Sequence, residues 1–418
     1  MSYKTYNNYK DSKIDWIKEI PSNWSISRVK NISLIKSGES PKFDDNGQYD
    51  VIGANGKIGK TNRFNISTNH IIIGRVGASG SVNISPEFAF ISDNAFILTL
   101  NKQIDLKYSF YLFKALDMDR LINKNAQPLL TATQIKNLFI PHTTLNEQKQ
   151  IANYLDKKTA KLDASIIKNE ELIRLLEEKR VALINDVVTK GLNPDVAMKD
   201  SGVEWIGEIP EHWKTNKIKN MSYVKGRIGW HGLTSEEYAD EGAYLVTGTD
   251  FAEGTIDWNH CNHINYERYK QDPNIHLKEG DLLITKDGTI GKLALVKNIP
   301  DKATLNSGIF LVRPLIDNYT NDYLYWILSS DIFIRFFDYI KTGATIAHLY
   351  QETFERFFFP YMSLKEQDQI VNYLNENVSK IDLTIKKVRD TIRLLEEYKT
   401  SLIHHVVTGK IDVRGEEI

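Results

Sequence analysis

The longest periodic stretch of the chain runs from Leu145 to Thr189, where apolar side chains recur at heptad spacing. Leu155, Leu162, Leu176 and Leu183 form one row, and Ile166, Ile173 and Val187 another. That spacing predicts a long helix with a single apolar stripe. The whole stretch returns 219 residues later: Glu147-Gln148 becomes Glu366-Gln367, Asn153-Tyr154-Leu155 becomes Asn372-Tyr373-Leu374, and Leu175-Leu176-Glu177-Glu178 becomes Leu394-Leu395-Glu396-Glu397. The second copy has the rows Leu374, Ile381, Val388, Leu395, Leu402 and Val378, Ile385, Ile392, Val406. Asn169 stands where the second copy has Val388, a polar seam residue of the kind that fixes register. Arg180 and Lys399 match on the seam, with alkyl stems able to pack while the charges reach water. Two such helices in one chain most simply bury their stripes against each other. Two unrelated amphipathic helices are the weaker reading, because equivalent positions recur over the full length.

A second repeat precedes each helix at an offset of 189: Asp11-Ser12, Trp16, Ile20-Pro21, Trp24 and Lys30-Asn31 return as Asp200-Ser201, Trp205, Ile209-Pro210, Trp213 and Lys219-Asn220. The chain thus reads as two copies of one unit, a Trp/Pro segment, a globular body and a long helix, with the second body 30 residues longer. Within the bodies, His70–Ile73, Ala89–Ile91, Ala95–Leu100 and Leu282–Thr285, Leu293–Val296, Ile309–Val312 are short apolar runs bounded by Gly, Asn, Asp and Pro, as strands joined by turns are. Aromatic-rich helical stretches follow, Leu106–Leu121 and Thr320–Ile340. Each body is therefore expected to be an α+β domain with a curved sheet. Lys190-Gly191-Leu192-Asn193-Pro194 ends the first helix. The expected divisions are residues 1–143, 144–190, 191–362 and 363–418, the last including a tail.

Composition narrows the class. The chain has 418 residues, 41% of them hydrophobic, enough for two or three cores. The polar start and the lack of any apolar run near the roughly 20 residues of a membrane span suggest a soluble, cytoplasmic protein. A single cysteine, Cys261, excludes an internal disulfide and a cysteine-rich zinc site. The net charge is −1, but residues 11–142 carry 16 Lys and Arg against 12 Asp and Glu, whereas residues 200–361 carry 16 against 23. A nucleic-acid surface on the second body would have to be a local patch.

Variable bodies between repeated borders suggest one frame carrying two readers, and here the chain resembles the specificity subunit of type I restriction-modification systems. The resemblance rests on Trp205-Ile206-Gly207-Glu208-Ile209-Pro210-Glu211-His212-Trp213, the Glu-Gln opening of each helix, Leu394-Leu395-Glu396-Glu397-Tyr398-Lys399, and Val407-Thr408-Gly409-Lys410-Ile411-Asp412-Val413. Asn55-Gly56 with Ile58-Gly59, and Gly343-Ala344-Thr345 with Leu349, also resemble that family's recognition domains. Asn125-Ala126-Gln127-Pro128 departs from the pattern of Gly343-Ala344-Thr345-Ile346. The resemblance implies two α+β target recognition domains joined by two long antiparallel coiled-coil helices, a pseudo-two-fold internal repeat that reads a bipartite, asymmetric site on double-stranded DNA. It also implies partners: two modification subunits that methylate adenine with S-adenosylmethionine, and restriction subunits that use ATP and Mg. This chain would bind no cofactor itself.

Catalytic motifs are missing. There is no Gly-x-x-x-x-Gly-Lys-Ser/Thr loop, no Gly-x-Gly-x-x-Gly after a strand, and no Asn/Asp-Pro-Pro-Tyr/Phe element of an adenine methyltransferase. His404-His405 and His260 with His263 read as ordinary surface histidines rather than metal ligands, and Glu177-Glu178-Lys179 as a solvated helix face. A stand-alone methyltransferase or nuclease with divergent motifs, and a coiled-coil scaffold without nucleic acid, are the alternatives. Base edges are read by hydrogen bonds and phosphates fix register, so donor-rich glycine loops are the candidate DNA contacts. These are Asn55, Lys57, Lys60 and Arg63, then Arg75 and Ser79, in the first body, and Lys225, Arg227, Lys286, Thr289, Lys292 and His348 in the second. Arg75 and Lys286 occupy matching places after apolar strands. The seam or partner-docking candidates are Leu155, Leu162, Ile166, Ile173, Leu176, Leu374, Ile381, Ile385, Ile392 and Leu395. The Trp16/Trp24 and Trp205/Trp213 pairs recur in both units, which favours core or interface anchors over base-stacking platforms.

Overall fold

A computed structural model describes residues 3–14, 16–121, 129–227, 233, 235–340 and 348–416. The stretches 125–128 and 343–346, compared above, lie outside the described residues. The long helices form as the heptads predict, Leu145–Lys190 and Leu364–Val407. The compact divisions do not follow the four expected segments. The chain closes into two units, Met1–Glu171 with Arg389–Ile418, and Leu172–Val388, so that each unit takes part of both helices.

In unit 1 the strands Ser33–Ser37, Ala95–Leu100, Ile71–Gly74 and Val82–Ile84 form, in that order, an antiparallel sheet. A smaller sheet, Gly56–Thr61, Tyr49–Gly53 and Phe90–Ile91, packs Ile52 and Ile91 against Ile72 and Ile97 of the first, so the body is built on two sheets rather than one curved sheet. The helix Leu106–Ala115 starts at Asp105, whose carboxylate accepts the Tyr108 backbone N–H at 2.9 Å, and is followed by a 3-10 turn at Met118–Arg120. Its core joins Ile71, Ile73, Leu98, Tyr108 and Leu112 to Ile151 and Leu155 of one long helix and to Leu402, Val406, Ile411 and Val413 near the end of the chain. Asp163 faces Lys399 while the Ile151–Leu155 turn packs with residues 402–407, so the two helix portions run antiparallel within the unit.

Unit 2 repeats the four-stranded sheet in the same order, as Ser222–Gly226, Ile309–Pro314, Leu282–Thr285 and Leu293–Leu295. Its second sheet differs: Tyr238–Ala239, Asn262–Ile264, Ala243–Val246 and Ala303–Leu305. The stretch Thr320–Ile340 is two helices, Asn321–Leu328 and Asp331–Ile340, broken at Ser329-Ser330. Ile184, Val187 and Val188 pack here with Ile370, Leu374 and Val378, and Arg180 pairs with Asp382 at 3.0 Å, again antiparallel. Arg180 and Lys399 thus reach partly exposed carboxylates across the seam, and the two ion pairs are sequence equivalents. No helix among the described residues is long and apolar enough to cross a membrane.

Each body is fixed to the long helices by the same residues. Trp24 donates from its indole to Glu147 at 3.2 Å, and Trp213 to Glu366 at 2.9 Å, both rings fully buried. Gln148 accepts from the Asp105 N–H at 2.8 Å and donates to the Thr143 carbonyl at 2.7 Å. Gln367 does the same with the Thr320 N–H at 3.0 Å and the Met362 carbonyl at 3.0 Å. Tyr108 and Tyr323 donate to the carbonyls of Pro141 and Pro360, both at 3.1 Å. These are buried polar groups with partners, which explains why the Glu-Gln opening occurs twice. Trp16 and Trp205 are half-buried, the first against His404 and the second against Phe336, Tyr339 and Phe358.

Candidate nucleic-acid interface

Gly53 and Gly56 face each other across the two-residue turn Ala54-Asn55, a hairpin that leaves Asn55 exposed at its tip. Lys57 and Lys60 project from the outgoing strand and Arg63 follows it, all exposed, with Lys57 paired to Asp50 at 2.6 Å. The Ser81 hydroxyl donates to the Ala54 carbonyl, so the hairpin tip and the Arg75–Ser81 loop, separate in sequence, are neighbours. Gly74 makes the approach possible: a Cβ there would lie 2.2 Å from the Ala78 carbonyl oxygen. Ser79 donates to the Arg75 carbonyl at 2.8 Å and thereby shapes the loop itself.

In unit 2, Lys225 is half-buried on its strand, and Thr289 and Lys292 are exposed on a turn closed by Thr285. The Thr285 hydroxyl accepts from the Lys292 N–H at 2.9 Å and donates to the Thr289 carbonyl. Lys286 keeps only 13% of its side chain exposed, and His348 bonds to Asp287. Arg227 corrects the expectation of a basic surface contact. Its side chain is 1% exposed, donating to the Leu305 carbonyl at 2.9 Å and to Asp272 at 2.6 Å, and an ionised group so enclosed holds the fold together rather than meeting DNA.

The match between Arg75 and Lys286 extends to the backbone. The Arg75 N–H donates to the Asn94 carbonyl at 2.8 Å and the Lys286 N–H to Gly308 at 2.7 Å. The carbonyls of the same two residues accept from Leu130 at 3.1 Å and Leu349 at 2.9 Å. Each cation lies over a phenylalanine of the neighbouring strand, Arg75 over Phe96 at 5.8 Å and Lys286 over Phe310 at 5.6 Å. Two loops are therefore held in one conformation with different side chains. Sequence reasoning placed Asp287 within the turn Lys286-Asp287-Gly288-Thr289 without giving it a role, and passed over the 65%-exposed Tyr350 beside His348.

The seam candidates split by depth. Leu155, Leu374, Ile381 and Ile385 are buried, and Leu162, Ile166, Ile173, Leu176, Ile392 and Leu395 half-buried. Leu175 and its equivalent Leu394 are exposed, 47% and 56%, at the same place on the two long helices. Among the described residues no group of three or more His, Cys, Asp or Glu side chains gathers as it would around a metal ion.

The family profile described as the type I restriction modification DNA specificity domain matches twice, over residues 21–174 and 210–393. A Methanocaldococcus jannaschii protein named for the specificity subunit of type I restriction enzyme MjaX is 27% identical over 97% of both chains. The MjaVIII specificity subunit of the same organism is 23% identical over 95% of both. A solved chain from work on complex assembly and conformational transition of the type I R-M system superposes with a TM-score of 0.73 at 15% identity, covering 94% of this chain and 99% of that one. The HsdS subunit from Thermoanaerobacter tengcongensis gives 0.53 at 14% identity, over 94% and 98%. At such identities the structural likeness concerns the fold.

Proposed function

Because the chain belongs to the type I restriction-modification DNA specificity family, we propose that it reads a bipartite, asymmetric site in double-stranded DNA, one half with each unit, and performs no chemistry itself. The observation that carries this reading is the doubled anchor set, Trp24-Glu147-Gln148 and Trp213-Glu366-Gln367, holding two bodies whose outer sheets and loops differ. A repeated frame with unlike surfaces is what two different half-sites require. Two modification subunits dock on the repeated helices, with the exposed, equivalent Leu175 and Leu394 as matching contacts. Adenine methylation with S-adenosylmethionine and ATP- and Mg-dependent restriction belong to those partners, and the complex works on DNA in the cytoplasm.

The test is a graft. Replacing residues 25–140 with the corresponding body of another family member should change one half of the methylated site and leave the other half intact. A folded graft that alters both halves would show that the bodies read DNA as one coupled surface. The helices set the unread gap in the same scheme. In the register of unit 1, Glu171 lies opposite Thr391, so four residues inserted after the first and before the second preserve pairing. The insertions add about 6 Å of helix, equivalent to about two base pairs of DNA. Genome-wide mapping of methylated sites should then show both original half-sites with a wider gap. An active mutant with an unchanged gap, or with new bases in either half, would refute the ruler.

A further inference from the structure

The paired loops after Ile71–Gly74 and Leu282–Thr285 share their backbone hydrogen bonds and diverge at the next position outward. In unit 1 that place holds two apolar residues, Val76 and Leu129, joined by an isolated antiparallel bridge. In unit 2 the equivalents are Asp287, after Lys286, and His348, before Leu349. Asp287 is 43% exposed, its Oδ1 accepting from His348 Nδ1 and its Oδ2 lying 3.4 Å from Lys286 Nζ. The imidazole in turn lies edge-on to Tyr350, ring centroids 4.6 Å apart. A bare carboxylate on a DNA-binding face would be repelled by phosphates. This one is flanked by a lysine and an imidazole and fixed in position, and among the described residues those two contacts leave lone-pair capacity on both oxygens.

We propose that Asp287, steadied by His348, is a specificity-determining residue of the second unit, accepting a hydrogen bond from the exocyclic amino group of one base, adenine N6 or cytosine N4. Only those two major-groove groups donate to a carboxylate, and a bound carboxylate excludes guanine O6 and thymine O4 at the same place. The side chains of Val76 and Leu129 have no acceptor to offer there. Unit 1 therefore reads the corresponding position through apolar contact, as with a thymine methyl, or not at all. The inference rests on the reading of these loops as DNA-facing.

The experiment uses the chain assembled with its modification subunits and a library of duplexes randomised across the site, with wild type, Asp287→Asn, Asp287→Ala, and Val76→Asp with Leu129→His. Wild type should select a two-part motif. Both Asp287 variants should lose about 10-fold to 100-fold discrimination at one base pair of one half, with the other half unchanged. The double variant should bring a preference for an amino-bearing base into the opposite half. Equal weakening on every sequence, or unchanged discrimination, would overturn the role of Asp287. A wild-type complex that selects no two-part motif would overturn the DNA-facing reading with it. Circular dichroism melting of each variant separates misfolding from altered choice.

Discussion

Unit 1 sets a hairpin of glycines and lysines beside its conserved-order sheet, with Asn55 at the tip and Arg75 behind it. Unit 2 carries in its place a second four-stranded sheet and an ionic network in which Arg227 and Arg268 share Asp272. Beneath both lie the same tryptophan, glutamate, glutamine and tyrosine, with partners that agree to within a few tenths of an ångström. Buried polar contacts tolerate little change, because a donor left without an acceptor costs about 1–3 kcal/mol, whereas surface loops are free to diverge. A duplicated reader can thus acquire two specificities while its attachment to the helices stays fixed.

The sharpest way to break that comparison is at the anchors. Trp24→Ala and Trp213→Ala should each destabilise their own unit by about 3–5 kcal/mol, since each removes a fully buried ring together with one donor to a carboxylate. Chemical denaturation of both variants checks it, and a large loss in one with little in the other would end the equivalence. Next in size are the loops. Arg75→Ala should weaken DNA binding by about 1–3 kcal/mol if it meets a base edge, with relaxed discrimination confined to one half-site. Lys286→Ala should act on the other half. A uniform loss across sequences would make either residue a phosphate contact.

The smallest effect is acid sensitivity in unit 1. Burial pushes the imidazoles of His142, His404 and His405 below the ordinary 6.5, with Lys410 adding to the effect at the last two. Their folded values lie under those of the unfolded chain, so unfolding takes up protons as the pH falls. The stability they contribute is complete above about 6.5 and declines as pH drops through the folded values. Melting of the unit should fall between about pH 7 and about pH 5, and less steeply in His404→Gln. An identical slope in that variant would remove His404 as a cause.

The helices were legible because a heptad period sustained over forty-odd residues admits no other secondary structure, and both ends fell where the glycines and the Glu-Gln openings put them. Ala95–Leu100 and Leu282–Thr285 were legible as short apolar runs between turn formers. What escaped depends on distant partners. The break before Asp331 is set by Asn185, which accepts the Asp331 N–H at 2.8 Å and donates to its carboxylate at 2.6 Å, although the two are 146 residues apart. Arg227 beside Gly226 has the look of an exposed basic turn, and Asp272 and the Leu305 carbonyl, both distant in sequence, receive it in the interior. The seam cations were placed correctly, but the carboxylates that receive them belong to the other helix.

Unit 2 is one uninterrupted stretch of chain, Leu172–Val388, while unit 1 draws its last pieces from Arg389 onward. Gly409, with φ +75°, turns the chain against Pro21 and Trp24, where a Cβ would come within 2.4 Å of the proline ring. Its carbonyl accepts from Tyr9 at 3.1 Å, and Ile411 and Val413 fill the core beyond. During synthesis, then, the body made first is finished after its neighbour: it emerges from the ribosome with its tryptophan site open and stays incomplete until the segment from Arg389 onward arrives, when unit 2 already has everything it needs to fold. A stop codon placed just after Val388 would spare the second reader and disable the one encoded before it.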